Sequence, residues 1–190
     1  SGDLIRHSNG FNWNAGITMI HNKNRIKKID ESLRFLNDIL EESYGTNPSF
    51  LLKEGQSINT IFAVRSAGID PANGKEVFIR PDGSLTTTWS AADKVPCGVT
   101  DPKFWGNITT CIHYKNFTLN AIFSYRYGGQ YYNQTLIDKI ENILPHQNAD
   151  KRALYERWQT PGRPAKYKAI REYMVDTKAS GRFVMDENTL

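Results

Sequence analysis

The side chains best equipped for chemistry are few and scattered. His7, His21, His113 and His146 stand far apart, with no spacing that would place two of them on one helix turn around a metal. Cys97 and Cys111 are the only cysteines, and no second pair or histidine completes a metal set around them. A bridge between the two requires an oxidising compartment, and the sequence leaves that question open. Phosphate-binding loops, dinucleotide fingerprints and nucleophile elbows do not occur. Asp70 and Asp101 each precede a proline, which makes them turn formers before they are catalytic acids. No carboxylate pair presents itself for glycoside hydrolysis. The reading is therefore of no enzyme, with no catalytic residue, no metal and no cofactor. What remains is aromatic: Trp89, Trp105 and Trp158 could stack on a sugar ring or anchor at a membrane interface, with plain packing as the competing use.

The elements that would position such residues are mostly strands. In Pro102 to Gly128, Ile108, Thr110, Ile112 and Tyr114 alternate with Asn107, Thr109, Cys111 and His113. After Lys115-Asn116, Phe117, Leu119, Ala121, Phe123, Tyr125 and Tyr127 alternate with Thr118, Asn120, Ser124 and Arg126, with Ile122 as the single misfit. Successive strand side chains point to opposite faces, so this is a hairpin between two different solvents. Phe11 to Asn22 repeats the pattern through Phe11, Trp13, Ala15, Ile17 and Met19. Asp30 to Tyr44 predicts an amphipathic helix ended by Gly45. Ile58 to Val64 predicts a strand of blurred alternation after a turn at Gly55. Gly68 to Val99 reads as a long turn-rich excursion with a hairpin around Glu76 to Leu85, its Asn73-Gly74 and Asp82-Gly83 pairs suiting type I′ turns. Helices are expected at Tyr131 to Leu144, closed by Pro145, at Ala149 to Trp158 and at Ala165 to Val175, and a strand approach from Ser180.

Composition agrees with this division. Of the 190 residues 39% are hydrophobic and 12% aromatic, yet mean hydropathy is −0.55. Many aromatics in a polar chain suit alternating strands better than one thick core. No stretch approaches the roughly 18 apolar residues of a spanning helix. The net charge of +4 is carried by dispersed lysines and arginines interleaved with acids, so a nucleic-acid partner is not expected. The chain starts without Met or an apolar leader, and the expectation is of an internal piece of a longer protein. On physics alone the hairpin fits either lipid on its Phe117 face, which requires membership of a closed barrel, or a soluble sandwich burying that face.

The runs EGQSINTIFAVRSAGIDPANGKEVF, PKFWGNITTCIHYKNFTLNAIFSYRYGGQYYN, RWQTPGRPAKY and SGRF follow FNWNAGITMIHNKNRI in that order. Together they resemble the C-terminal barrel region of SusC/RagA-type TonB-dependent outer-membrane transporters. That family's G-I-D-P-x-x-G loop, P-x-F-x-G strand, Y-K-x-F turn and R-W-x-x-P-G segment fall here at Gly68 to Gly74, Pro102 to Gly106, Tyr114 to Phe117 and Arg157 to Gly162. Trp105-Gly106-Asn107 departs from the Gly pair often found after the aromatic.

The resemblance implies a mainly β fold, with antiparallel strands from an incomplete transmembrane β-barrel and short helical segments in loops. It implies one fragment, residues 1–190, without plug domain or closing strands. The whole protein would sit in the cell outer membrane and import oligosaccharides, or less often peptides. It would work with a SusD-like surface lipoprotein and with TonB, the latter through the missing N-terminal region. The helices near Asp30 to Tyr44 and Tyr131 to Trp158 would then belong to excursions outside the membrane and the segment after Gly129 to an extracellular loop, which adds Tyr132 to Trp89, Trp105 and Trp158 as candidate contacts for substrate or partner. About four to six strands cannot close a barrel, so the lipid face is expected to be covered by another part of the chain or by a second copy. The competing function is a secreted or surface β-rich carbohydrate-binding module.

Overall fold

The computed structural model describes residues 2–6, 10–41, 45–144, 146–170 and 176–190. In chain order its strands are β1 (Gly2–Arg6), β2 (Phe11–Ile20), β3 (Thr60–Ile69), β4 (Glu76–Ile79), β5 (Leu85–Thr86), β6 (Lys94–Val99), β7 (Phe104–Tyr114), β8 (Phe117–Tyr132) and β9 (Val184–Thr189). The helices are α1 (Glu31–Glu41), α2 (Gln134–Leu136) and α3 (Arg152–Tyr155). The fold is mainly β, its ladders are antiparallel, and neither sheet closes on itself. Two compact units divide the chain: Ser1–Asn24, Asp101–Gln130 and Asp186–Leu190 form the first, Arg25–Thr100 and Tyr131–Met185 the second.

The first unit is built on the sheet β1-β2-β7-β8-β9. Its register aligns the apolar positions of three strands into continuous rows: Phe11, Tyr114 and Phe117; Trp13, Ile112 and Leu119; Ala15, Thr110 and Ala121; Ile17, Ile108 and Phe123. The other face carries Asn12, His113 and Thr118, then Asn14, Cys111 and Asn120, and so on in polar rows. Ile122, paired with Thr109 and 70% exposed, breaks that pattern, as do Ile20 and Trp105 in the row that Arg126 completes. The apolar face is open, with Ile17 at 65%, Leu119 at 61% and Phe117 at 78% exposure. The expectation that another part of this chain covers it is thus corrected for the described residues: the sheet presents an apolar surface with no protein over it. One close approach fixes the strands there. A Cβ on Gly106 would lie 1.8 Å from the Thr18 carbonyl oxygen, and the Tyr125 hydroxyl donates to that same oxygen at 3.1 Å.

The second unit is built on the sheet β5-β4-β3-β6. Strand β3 buries Thr60, Ile61, Phe62, Ala63 and Val64 completely. A strand covered on both faces needs no alternation, which is why its pattern is blurred in the sequence. Strand β6 lies where turn chemistry was expected. Pro96 is accommodated because β6 is an edge strand, and the β3 ladder is irregular between Ile61 and Phe62, next to Pro96. A second core gathers Leu136, Ile137, Ile140, Ala153, Tyr167 and Phe183.

The helical expectations shrink. Helix α1 covers Glu31 to Glu41, while Tyr44 lies outside the described residues. The expected Tyr131 to Leu144 helix is the short α2 followed by one π-helical turn, Ile137–Glu141; Pro145 lies outside the described residues. Ala149 to Trp158 reduces to α3. Residues 165–170 are not helical, and 171–175 lie outside the described residues. In the loops after β3 and β4 only Gly74 and Gly83 have positive φ, so neither Asn73-Gly74 nor Asp82-Gly83 forms a type I′ turn. Both cysteines are free thiols. No described helix is long and apolar enough to cross a membrane, which says nothing of strands.

Candidate functional site

Two motifs that lie far apart in sequence, Gly68–Gly74 and Arg157–Gly162, converge in the second unit. In the Gly68–Gly74 loop, Asp70 turns the chain by accepting from the Ala72 amide at 2.9 Å, while the Gly74 amide donates to the Asp70 carbonyl at 2.8 Å. Pro71 then offers its carbonyl oxygen to two donors of the Arg157–Gly162 segment, the Trp158 indole N–H and the Gly162 amide, both at 2.8 Å. Gly74 is required twice over. Its φ is +69°, and a Cβ there would lie 2.6 Å from Cδ2 of Trp158.

Arg157 is buried and donates only to carbonyl oxygens: Nε to Lys168 at 2.8 Å, one terminal nitrogen to Ile140 at 2.7 Å, the other to Ala169 at 2.8 Å. It therefore ties the end of the π turn to the 168–169 segment. Burial pulls its pKa down from the usual guanidinium value, with Glu141 and Asp176 opposing.

Arg182 sits between two buried acids. It donates to Glu76 at 3.2 and 2.9 Å and to Glu141 at 3.0 Å. Glu141 also accepts from the Lys168 amide and the Thr177 hydroxyl, each at 2.9 Å. Burial raises the Glu141 pKa, but the Arg182 charge and these hydrogen bonds outweigh it and hold the carboxyl below its usual range. The two acids raise Arg182 above its ordinary value against its own burial. Both acids are engaged by Arg182, and Glu141 by the Lys168 amide and the Thr177 hydroxyl as well, so the cluster holds segments together.

Against this scaffold lies a cavity of about 310 Å³, lined by Gly74, Lys75, Glu76, Phe78, Thr87, Trp89, Lys168, Ala169, Asp176 and Lys178. Of the candidate residues, Trp89 is the one in its wall. Its indole N–H donates to the Ala179 carbonyl at 2.9 Å, and Lys94 Nζ lies 5.8 Å from its ring centroid. Trp158 supports the neighbouring Gly74 and does not line the cavity. Tyr132 is half-buried, edge-on to Phe183 at 6.0 Å, with its hydroxyl donating to the Thr46 carbonyl at 2.9 Å; burial pushes its pKa well up. Trp105 belongs to the first unit, in a row with Ile20 and Arg126. The structure thus gathers Trp89, Trp158 and Tyr132 in one unit with three separate surroundings.

Residues that the sequence reading passed over are Glu76, Glu141, Arg182 and the cavity lysines. Glu141 carried a signal, because it stands four residues after Ile137 on the apolar side of a helical pattern. The lysines carried none, being indistinguishable from a solvated face. Among the described residues no cluster of His, Cys, Asp or Glu could hold a metal.

No family profile matches the chain. It is 24% identical over 143 residues to TonB-dependent receptor P3 of Formosa agariphila, across 67% of this chain and 14% of that protein. In three dimensions it is similar to the RagAB peptide transporter at 19% identity and a TM-score of 0.70, covering 97% of this chain and 20% of that one. The closed-closed state of the RagAB peptide importer gives a TM-score of 0.71. The chain thus spans about a fifth or less of the proteins it resembles, and it has the fold of the corresponding part of a RagAB transporter chain.

Proposed function

We propose that the chain is part of the barrel region of an outer-membrane, TonB-dependent importer of the SusC/RagA type, read as one fragment over residues 1–190. In this reading the whole protein takes up oligosaccharides or peptides, with a SusD-like lipoprotein at the surface and TonB as the energy source, and has no catalytic role. The observation that carries the proposal is the open apolar face of β2, β7 and β8. A water-soluble sandwich would bury such a face, whereas lipid is its natural solvent. From Phe117 to Tyr127 the strand climbs roughly 34 Å at about 3.4 Å per residue. A tilt of about 40° brings that to roughly 26 Å, the height of the apolar band in outer-membrane barrels. The likeness to the TonB-dependent receptor and to RagAB supports the same assignment.

Trp89, Trp105, Tyr132 and Trp158 are carried into this reading as contacts for substrate or partner. The test is accessibility in the full-length protein in membranes, with Cys97 and Cys111 changed to Ser. Leu119→Cys should be quenched by a lipid-borne probe and closed to aqueous maleimide, and Asn120→Cys should behave in the opposite way. Recovery as a soluble secreted protein with neither position quenched by the lipid-borne probe favours the carbohydrate-binding module instead.

A further inference from the structure

The cavity against the Gly74–Trp158 contact has a residual charge that its scaffold does not use. Of its ionic lining, Glu76 shares Arg182 with the buried Glu141, the guanidinium lying 2.9 Å from each carboxylate, and Lys168 is paired with Asp176 at 2.9 Å. That leaves Lys75 and Lys178, which form no ion pair among the described residues. The rest of the wall is aromatic or small: Trp89, Phe78, Gly74 and Ala169.

The walls are held before any ligand arrives. The Ala169 amide donates to the Gly74 carbonyl at 3.1 Å, the Lys168 amide to Glu141, and the Trp89 indole to Ala179. A site already fixed in this way loses little ordering entropy on binding. A volume of about 310 Å³ lies at the small end of ligand pockets and takes one ring-sized unit, not a chain.

We propose that this cavity binds a single anionic sugar unit, a pyranose bearing one carboxylate or sulfate. Its charged group meets Lys75 and Lys178, and the apolar C–H face of the ring meets Trp89. Lysine suits this task because its ammonium is a compact, mobile point charge that adapts to either anion, whereas bidentate recognition of a fixed carboxylate calls for arginine. A bare anion leaves the indole wall unused. The inference rests on the importer reading for the source of the ligand and not for the binding itself.

The experiment is isothermal titration of the full-length protein in detergent with glucuronate, glucose 6-sulfate, glucose, inorganic sulfate and a tripeptide with a free carboxylate. Glucuronate or glucose 6-sulfate should bind at least tenfold more tightly than glucose, sulfate or the tripeptide, and whichever of the two binds identifies the anion. The double variant Lys75→Gln/Lys178→Gln should lose tenfold or more, while Lys75→Arg/Lys178→Arg keeps most of the affinity and shows that the fold survives. Trp89→Phe should lose several-fold for the sugars and nothing for sulfate. Equal binding of glucose, of sulfate or of the tripeptide overturns the proposal, as does an unchanged Kd in the double glutamine variant. Outer-membrane fractionation of the same proteins is scored separately. Normal membrane assembly without the sugar preference defeats this inference alone, and failed assembly of the unmodified protein defeats the importer reading alone.

Discussion

At the scale of single residues the second unit is held by contacts that tolerate little change. Gly74 combines a left-handed backbone with a Trp158 ring against its Cα. Gly74→Ala must therefore strain φ and displace the indole from the Pro71 carbonyl, and together these should cost about 2–4 kcal/mol in chemical unfolding of this unit. Arg182 poses a different problem, because its removal leaves Glu76 and Glu141 buried without a counter-charge. Arg182→Met should cost about 3–5 kcal/mol, and adding Glu76→Leu with Glu141→Gln should restore part of that, since both buried charges are then gone while the Gln side-chain oxygen can still accept at this position. The sign of the pH dependence follows from Glu141. Its folded pKa lies below the unfolded one, so its contribution is present above the unfolded value and disappears as pH falls through the folded value. Glu141→Gln should lower stability at neutral pH and flatten the acid limb of a stability-versus-pH curve. A steeper acid limb in the variant would contradict the pairing.

At the scale of elements, legibility followed the number of environments an element separates. Strands β2, β7 and β8 divide two solvents, so Phe11 to Met19 and Phe117 to Tyr127 write their period of two directly into the sequence. Strand β3 separates nothing, being buried on both faces, and its run Thr60 to Val64 carries no period. Strand β6 was hidden by Pro96, which signals a turn unless the strand is known to be an edge. The helix at Asp30 to Tyr44 was legible in position but not in orientation. Its inward residue is Asn37, whose amide exchanges hydrogen bonds with the Leu52 backbone, and Phe35 is left 69% exposed. No periodicity argument finds a helix anchored by its polar side. The candidate site was half legible for a similar reason. Motif glycines and tryptophans stand out locally, but the pairing of Glu76 with Glu141 through Arg182 spans 106 residues at its longest. The β7–β8 turn gives the test at this scale. Lys115 there has φ of 52°, a region that costs a non-glycine residue on the order of 1 kcal/mol. Lys115→Gly should raise the stability of the hairpin by about 0.5–1 kcal/mol, and Lys115→Val should lower it, both read from hydrogen exchange of β7 and β8 amides.

At the scale of the whole molecule the question is which solvent the open face was made for, and energetics can answer it without a structure of the assembly. Ile17, Phe123 and Phe117 are all exposed, at 65%, 51% and 78%. In water an arginine at any of them should therefore cost within about 0.5 kcal/mol, because surface positions tolerate charge. In a bilayer the cost depends on depth. Ile17 and Phe123 share a row near the middle of the apolar band, and Phe117 ends it beside the Tyr114 turn. Arginine at the midplane of a barrel's lipid face costs about 2–4 kcal/mol, falling to about 0–1 near the interface. Ile17→Arg and Phe123→Arg should then sharply reduce the folded, heat-modifiable fraction of the full-length protein in outer membranes, while Phe117→Arg leaves it nearly intact. Asn120→Arg, on the opposite face, serves as the control for charge alone and should assemble normally. A flat response across Ile17, Phe123 and Phe117 would falsify the lipid assignment. A gradient centred on the Ile17–Phe123 row is the result that burial in water cannot produce, because among the described residues none covers those side chains.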